Sequence, residues 1–351
     1  MKAIVFSGGG AKGAYEAGVV TTLIKDGEDF DIVCGTSIGA INASFTAQGK
    51  IDELATVWHS IASTKIIDPV PRVRAIQALL NEAVAVVEAH NALEKFERVA
   101  QGSLRAIAKL RELSPLETLL KVKGALEPTG AQKILSKHLS LSDVNRILIA
   151  SATNLSLQRQ ETFFLFPEGY ASYQAEFCAQ EKEAIEFTPA LFAETIRASG
   201  AIPAAFEPVP LPIAGASPWA YVDGGVTNNT PIGQAIDAGA DTITILYVDP
   251  EEGPGQQPTA TLADILMGCF SMMQQRILAL DYQTALRVND AVGAAATDTK
   301  EKSVVKIRTF RPSTVLAPGI IDFNRQDLID AAFAQGQADA RNPALRDRYV
   351  T

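Results

Sequence analysis

The chain has 351 residues, of which 47% are hydrophobic and 20% charged. Those globular proportions exclude a disordered chain, a collagen-like fibre and a disulfide miniprotein. With 31 Lys+Arg against 40 Asp+Glu the formal charge is −9, which argues against a general nucleic-acid binder.

The N-terminus is basic at Lys2 and apolar from Ala3 to Phe6, a stretch too short for the ~7–15-residue apolar region of a signal peptide. It reads as a buried strand running into the loop Ser7-Gly8-Gly9-Gly10-Ala11-Lys12-Gly13. Helical spacing follows through Ala14, Ala17, Val20, Leu23 and Ile24. Asp31 to Cys34 reads as a second short strand closed by Gly35, and Ile38 to Ala47 as a helix ended by Gly49. Strand, helix, strand, helix in this order predict an α/β fold with a mainly parallel central sheet between helical layers.

From about residue 72 to 139 the pattern shows no convincing strand. Leu93, Phe96, Ala100, Leu104 and Ile107 recur at helical steps with Arg98, Arg105 and Lys109 opposite. This reads as a helical insert. Residues 95–146 hold ten Lys+Arg against five Asp+Glu, so the insert is basic in an acidic chain. A solvated helical face is one reading of that charge, and a cap that settles peripherally on anionic lipid headgroups is the other.

The sheet resumes at Ile147–Ala150 and Thr162–Phe166. Pro189 to Ser199 reads as a helix ended by Gly200, and Trp219 to Val222 as a strand leading into Asp223-Gly224-Gly225. A buried-type strand at Thr242–Val248 precedes a Pro-Gly-Gln loop over 250–258. Then come a long helix over Leu262–Asn289, a strand over Val304–Phe310 and a closing helix over Asp327–Ala340. The whole chain, 1–351, reads as one α/β domain with an insert and a helix–strand–helix extension from about residue 260. The apolar face of the long helix packs on its own sheet or forms a seam with a second copy. No apolar run reaches the ~18–20 residues of a membrane span, and Cys34, Cys178 and Cys269 are too scattered for a disulfide frame or a zinc site. The expectation is a cytoplasmic protein without metal or cofactor, at most peripheral to a membrane.

Chemistry concentrates at three places. Gly35-Thr36-Ser37-Ile38-Gly39 matches G-x-S-x-G between a strand and a helix, the context in which a sharp turn pushes a serine hydroxyl out of the sheet. There the helix N-terminus favours developing negative charge. The loop Gly8-Gly9-Gly10-Ala11-Lys12-Gly13 also fits G-x-G-x-x-G, but no acid closes the next strand to hold a ribose, and Lys12 stands wrongly for a P-loop. Its consecutive glycines instead supply unobstructed N–H donors suited to an anion. A serine nucleophile needs a base, yet the only histidines are His59, His90 and His138, none in the last 213 residues. Asp223 is the alternative, although Asp-Gly is also a leading hairpin-turn signal. Spacing alone leaves those two readings of Asp223 open.

These residues together resemble the patatin-like phospholipase family. Its pattern is a G-G-G-x-[KR]-G loop, here Gly8–Gly13, then G-x-S-x-G, here Gly35–Gly39, then D-G-[AG], here Asp223-Gly224-Gly225. Ala198-Ser199-Gly200-Ala201-Ile202-Pro203 and Asn228-Asn229-Thr230-Pro231 resemble the text flanking its aspartate. The resemblance implies a serine lipid acyl hydrolase acting on glycerolipid esters without a cofactor. Ser37 would be nucleophile, Asp223 general base, and the amides of Gly8, Gly9 and Gly10 the oxyanion hole, with Lys12, Gly13, Gly35, Gly39, Gly224 and Gly225 as supporting motif residues. An acyltransferase sharing the acyl-enzyme, and a ligand-regulated lipid-binding effector, are the alternatives. Ser7 departs from the family's usual aspartate, and the segment over 72–112 has no family counterpart.

Overall fold

The computed structural model describes residues 1–70, 123–213, 218–253, 255, 259, 262–294 and 304–351. The first half begins with β1 (Lys2–Phe6), α1 (Gly13–Lys25), β2 (Ile32–Thr36), α2 (Ile38–Ala47) and α3 (Ile51–Ser60). After these come the short strands β3 (Asp68–Pro69) and β4 (Leu126–Glu127), then α4 (Thr129–His138), β5 (Ile147–Asn154) and β6 (Arg159–Leu165). There follow α5 (Ala171–Gln180), β7 (Ile185–Glu186), α6 (Phe192–Ser199), β8 (Val209–Leu211), β9 (Trp219–Asp223) and α7 (Ile232–Asp237). The chain closes with β10 (Thr242–Leu246), α8 (Leu262–Ala294), β11 (Lys306–Phe310), α9 (Gln326–Ala340), α10 (Pro343–Arg346) and β12 (Tyr349–Val350).

One mixed sheet runs β12-β11-β10-β1-β2-β5-β6-β7, with β9 on β5 and β8 on β9. Its centre, from β11 to β5, is parallel, as crossover helices on both faces require. Alternation along the strands builds two cores. Ile4 and Phe6 of β1, with Val33 and Leu148, face α1, α2 and α9; Ala3 and Val5, with Ile32 and Ile147, face α5 and α7. The architecture is therefore three-layered α/β/α.

Several boundaries differ from the sequence reading. β2 continues through Gly35 to Thr36, because both residues still pair with β5. α6 starts at Phe192 rather than Pro189, since the Thr188 carbonyl takes the N–H groups of Leu191 and Phe192 in a preceding turn. A strand does exist within the 72–139 region: Leu126–Glu127 pairs with Asp68–Pro69, two residues being too few to show a period. The expected helix through Leu93 and Ile107 lies outside the described residues. No helix among the described residues is long and apolar enough to cross a membrane.

Candidate active site

Segments far apart in the sequence, Ser37 and Asp223 being 186 residues distant, meet on one edge of β5. β2 runs along it as far as Thr36, opposite Ser151, and β9 takes over at the next position with Asp223 opposite Ala152. Ser37 is the first residue after β2, so sheet register alone brings the two side chains together. Ser37 Oγ donates to Asp223 Oδ2 at 2.6 Å, and both residues are buried.

Ser37 adopts φ 58° and ψ −129°. A positive φ at a non-glycine residue costs about 1–3 kcal/mol and persists only where the surroundings hold it. The Ser199 hydroxyl accepts the Ser37 N–H at 2.9 Å and itself donates to the Ser151 carbonyl at 2.6 Å. The glycines on either side serve close approach. A Cβ on Gly35 would strike the Gly39 carbonyl, and one on Gly39 the carbonyls of Phe6 and Ser7.

Asp223 is completely enclosed. Loss of water pushes its carboxyl up from 3.8 to about 7, against the lowering effect of the Ser37 hydroxyl and the Gly225 N–H, which donates to Oδ1 at 2.7 Å. Its backbone is pinned by its N–H to the Ala201 carbonyl and by the Thr153 hydroxyl on its own carbonyl. The turn after it needs glycine: a Cβ on Gly224 would strike the Ser151 carbonyl, and one on Gly225 the Gln274 amide.

The glycine loop lies against the serine, a Cβ on Gly8 falling 3.0 Å from Ser37 Cβ. The Gly8 N–H is already taken by Asn229, through the backbone carbonyl at 3.3 Å and Oδ1 at 3.1 Å. The N–H groups of Gly9 and Gly10 have no acceptor among the described residues. Lys12 is buried and paired with Asp249 at 2.6 Å. Gly13 touches α2, its carbonyl accepting from Asn42 at 3.0 Å.

Behind the loop stands a network that no motif announced. Glu16, fully buried, accepts from the Ser7 N–H at 2.7 Å and from Asn42 Nδ2 at 3.0 Å, while Asn42 Oδ1 accepts from the Trp58 indole at 3.0 Å. Burial holds the Glu16 carboxyl well above its ordinary range. The network ties the glycine loop to the helix that carries Ser37. The described histidines are elsewhere: His59 meets Asp330 at 2.8 Å and His138 meets Glu53 at 2.7 Å. His90 lies outside the described residues. Ser199 and Asn229 fall in segments the motifs include, but only the fold shows what they hold.

Ser37 opens into a narrow apolar slot of about 90 Å³, whose walls include Ile38, Phe45, Trp58, Ile134, Ile202 and Phe323. The three-layer α/β fold thus sets a serine of positive φ on a buried aspartate at the mouth of an apolar slot. The patatin-like phospholipase family model matches residues 4–236, and the chain belongs to that family. No curated protein matches the chain. The solved structure of VipD from Legionella pneumophila is similar at 14% identity and a TM-score of 0.36, over 97% of this chain and 66% of that one. The chain thus spans just under two thirds of that protein's length.

Proposed function

We propose that the protein is a serine-dependent hydrolase of glycerolipid acyl esters working through a Ser37–Asp223 dyad. The observation that carries this reading is the 2.6 Å hydrogen bond from Ser37 Oγ to a fully enclosed carboxylate. In the first step Asp223 takes the hydroxyl proton as Ser37 Oγ attacks the ester carbonyl carbon, and the carbonyl oxygen becomes the oxyanion. The free N–H groups of Gly9 and Gly10 stabilise that charge, one such donor being worth about 2.7–4 kcal/mol. Gly8 instead fixes the loop through Asn229. The oxyanion collapses, the C–O bond to the alcohol breaks, and protonated Asp223 returns the proton to the leaving alkoxide. Water, deprotonated by Asp223, then releases the fatty acid and regenerates Ser37.

A carboxyl that titrates near 7 suits this cycle, being a stronger base than an ordinary aspartate and a competent acid at the next step. The slot would take the acyl chain, since its walls are apolar and it begins at Ser37. For the basic stretch over 95–146 both readings stand, a solvated helical face or a peripheral contact with anionic lipid, and Lys123 and Arg146 within it already pair with Glu207 and Asp29.

Intact-mass spectrometry after fluorophosphonate treatment tests the dyad. One adduct is expected on wild type and none on Ser37→Ala, with labelling of Asp223→Asn slowed by at least a hundredfold at pH 7.5. Labelling of Ser37→Ala at the wild-type rate would overturn the assignment of the nucleophile. Wild-type rates on Asp223→Asn would overturn that of the base.

A further inference from the structure

Beside the glycine loop lies a second cavity, of about 450 Å³, bordered by Gly8, Gly9, Tyr247, Gln274, Gln275 and Arg311. It differs from the acyl slot in polarity and size, and the hydrolytic cycle makes no use of it. Of the charges on its wall, Lys12 and Asp249 satisfy each other at 2.6 Å, and Glu251 sits on an exposed turn. Arg311 is different. It is half-buried, and its guanidinium carbon lies 3.8 Å over the centroid of the Tyr247 ring. No carboxylate among the described residues pairs with it, and its neighbour there is Tyr247, which it meets over the ring and at the hydroxyl. Stacking fixes the plane of a guanidinium while leaving its N–H edge available for two oxygens of an anion.

A second observation points into the same space from the other wall. Gln274 on α8 is 5% exposed, and its amide has no hydrogen-bond partner among the described residues. A ligand in the cavity would supply the missing hydrogen bond. Its Nε2 stands 3.2 Å from the Cβ position of Gly8, so whatever it binds also borders the glycine loop.

We infer that this cavity is a binding site for a small organic anion of the phosphate monoester class, seated on Arg311 and hydrogen-bonded by Gln274. The site is separate from Ser37 and its assignment does not depend on the hydrolytic reading. Its chemistry fits both a soluble phosphate ester and the phosphate of a lipid headgroup.

Isothermal titration of the full-length protein with sn-glycerol 3-phosphate tests it, with inorganic phosphate as the second probe. Saturable one-site binding is expected on wild type and unchanged on Ser37→Ala. Arg311→Gln should weaken it at least tenfold, Arg311→Lys less, and Gln274→Leu about threefold, the loss of one hydrogen bond. Vesicles containing phosphatidic acid, whose headgroup is a phosphate monoester, that compete with the soluble probe identify a headgroup as the source, and vesicles that do not compete identify a free phosphate ester. Should Arg311→Gln fail to fold, by circular dichroism, Gln274→Leu carries the test. Absence of saturable binding on folded wild type overturns the proposal, as does undiminished binding by a folded Arg311→Gln or, where that variant fails, by Gln274→Leu.

Discussion

Asp223 is where the proposed chemistry and stability pull in opposite directions. Its carboxyl titrates near 3.8 when exposed and at about 7 when enclosed. Between those values the folded chain holds a proton that the unfolded chain has released. Stability therefore falls as pH rises through that window, by about 1.4 kcal/mol per unit and about 4 kcal/mol in all. The contribution is fully present below pH ~4 and lost above pH ~7. Asparagine keeps the size without the charge. In urea titrations Asp223→Asn should gain about 3 kcal/mol on wild type between pH 5 and pH 8, and parallel stability curves would show that this carboxyl is not the enclosed titrating group. Catalysis runs the other way, since the base must be ionised. With a saturating acyl ester, kcat should rise through one ionisation near 7 and then level off. His59→Ala and His138→Ala should leave that profile unmoved, because both rings are engaged with carboxylates away from Ser37. A profile that shifts with either substitution would return histidine to the mechanism.

At the scale of elements, the glycine loop shows how three similar residues carry different constraints. Gly10 has φ +60°, and a Cβ there would run into the Ile320 carbonyl, which is backbone and cannot swing aside. Gly9 meets only the Val248 side chain. Gly10→Ala should therefore destabilise the fold by more than about 1 kcal/mol as well as slow the reaction. Gly9→Ala should fold but lose fluorophosphonate reactivity, and adding Val248→Ala should restore at least part of it. Additive losses in that double-mutant cycle would rule out steric displacement of the loop as the cause. These motifs were legible because glycine at a fixed spacing records a steric demand directly, and β1, α1 and α2 were legible as apolar segments bounded by glycines, each buried on more than one face. The partners that hold the motifs were not. Ser199 and Asn229 are ordinary polar residues until β5, β9 and the glycine loop converge on them. Glu16 sits in a helix beside Ala14 and Ala17 with nothing to distinguish it from a solvated acid. The strands β3, β4, β8 and β12, three residues or fewer each, exist through pairing alone, and a one-strand window cannot display a pairing.

Across the whole molecule, the segment beyond the family match is built into the same core rather than appended to it. The match ends at residue 236, yet β11 extends the central sheet beside β10, and α9 lies directly on α1. The α1–α9 contact is backbone on backbone: a Cβ on Gly18 would strike the Phe333 carbonyl, and one on Gly336 the Tyr15 carbonyl. The Tyr15 hydroxyl donates to Asp339 at 3.0 Å across the same seam. α1 also carries Glu16, which holds the start of the glycine loop, so the position of that loop depends on how α9 seats. Two glycines each set against the other helix's backbone leave the helices no tolerance, because separating them by a methyl group opens voids around the buried Phe333 and Ile329. Gly336→Ala should cost about 1–3 kcal/mol in urea unfolding, and Gly18→Ala should do the same. If the segment after residue 236 is part of one cooperative unit with the family-matched region, as we propose, each variant will shift a single transition monitored by the fluorescence of Trp58 and Trp219 and by loss of fluorophosphonate labelling alike. Separate transitions, with labelling retained after the α9 region has unfolded, would make the extension an independent module and break the proposed link from α9 through α1 to the glycine loop.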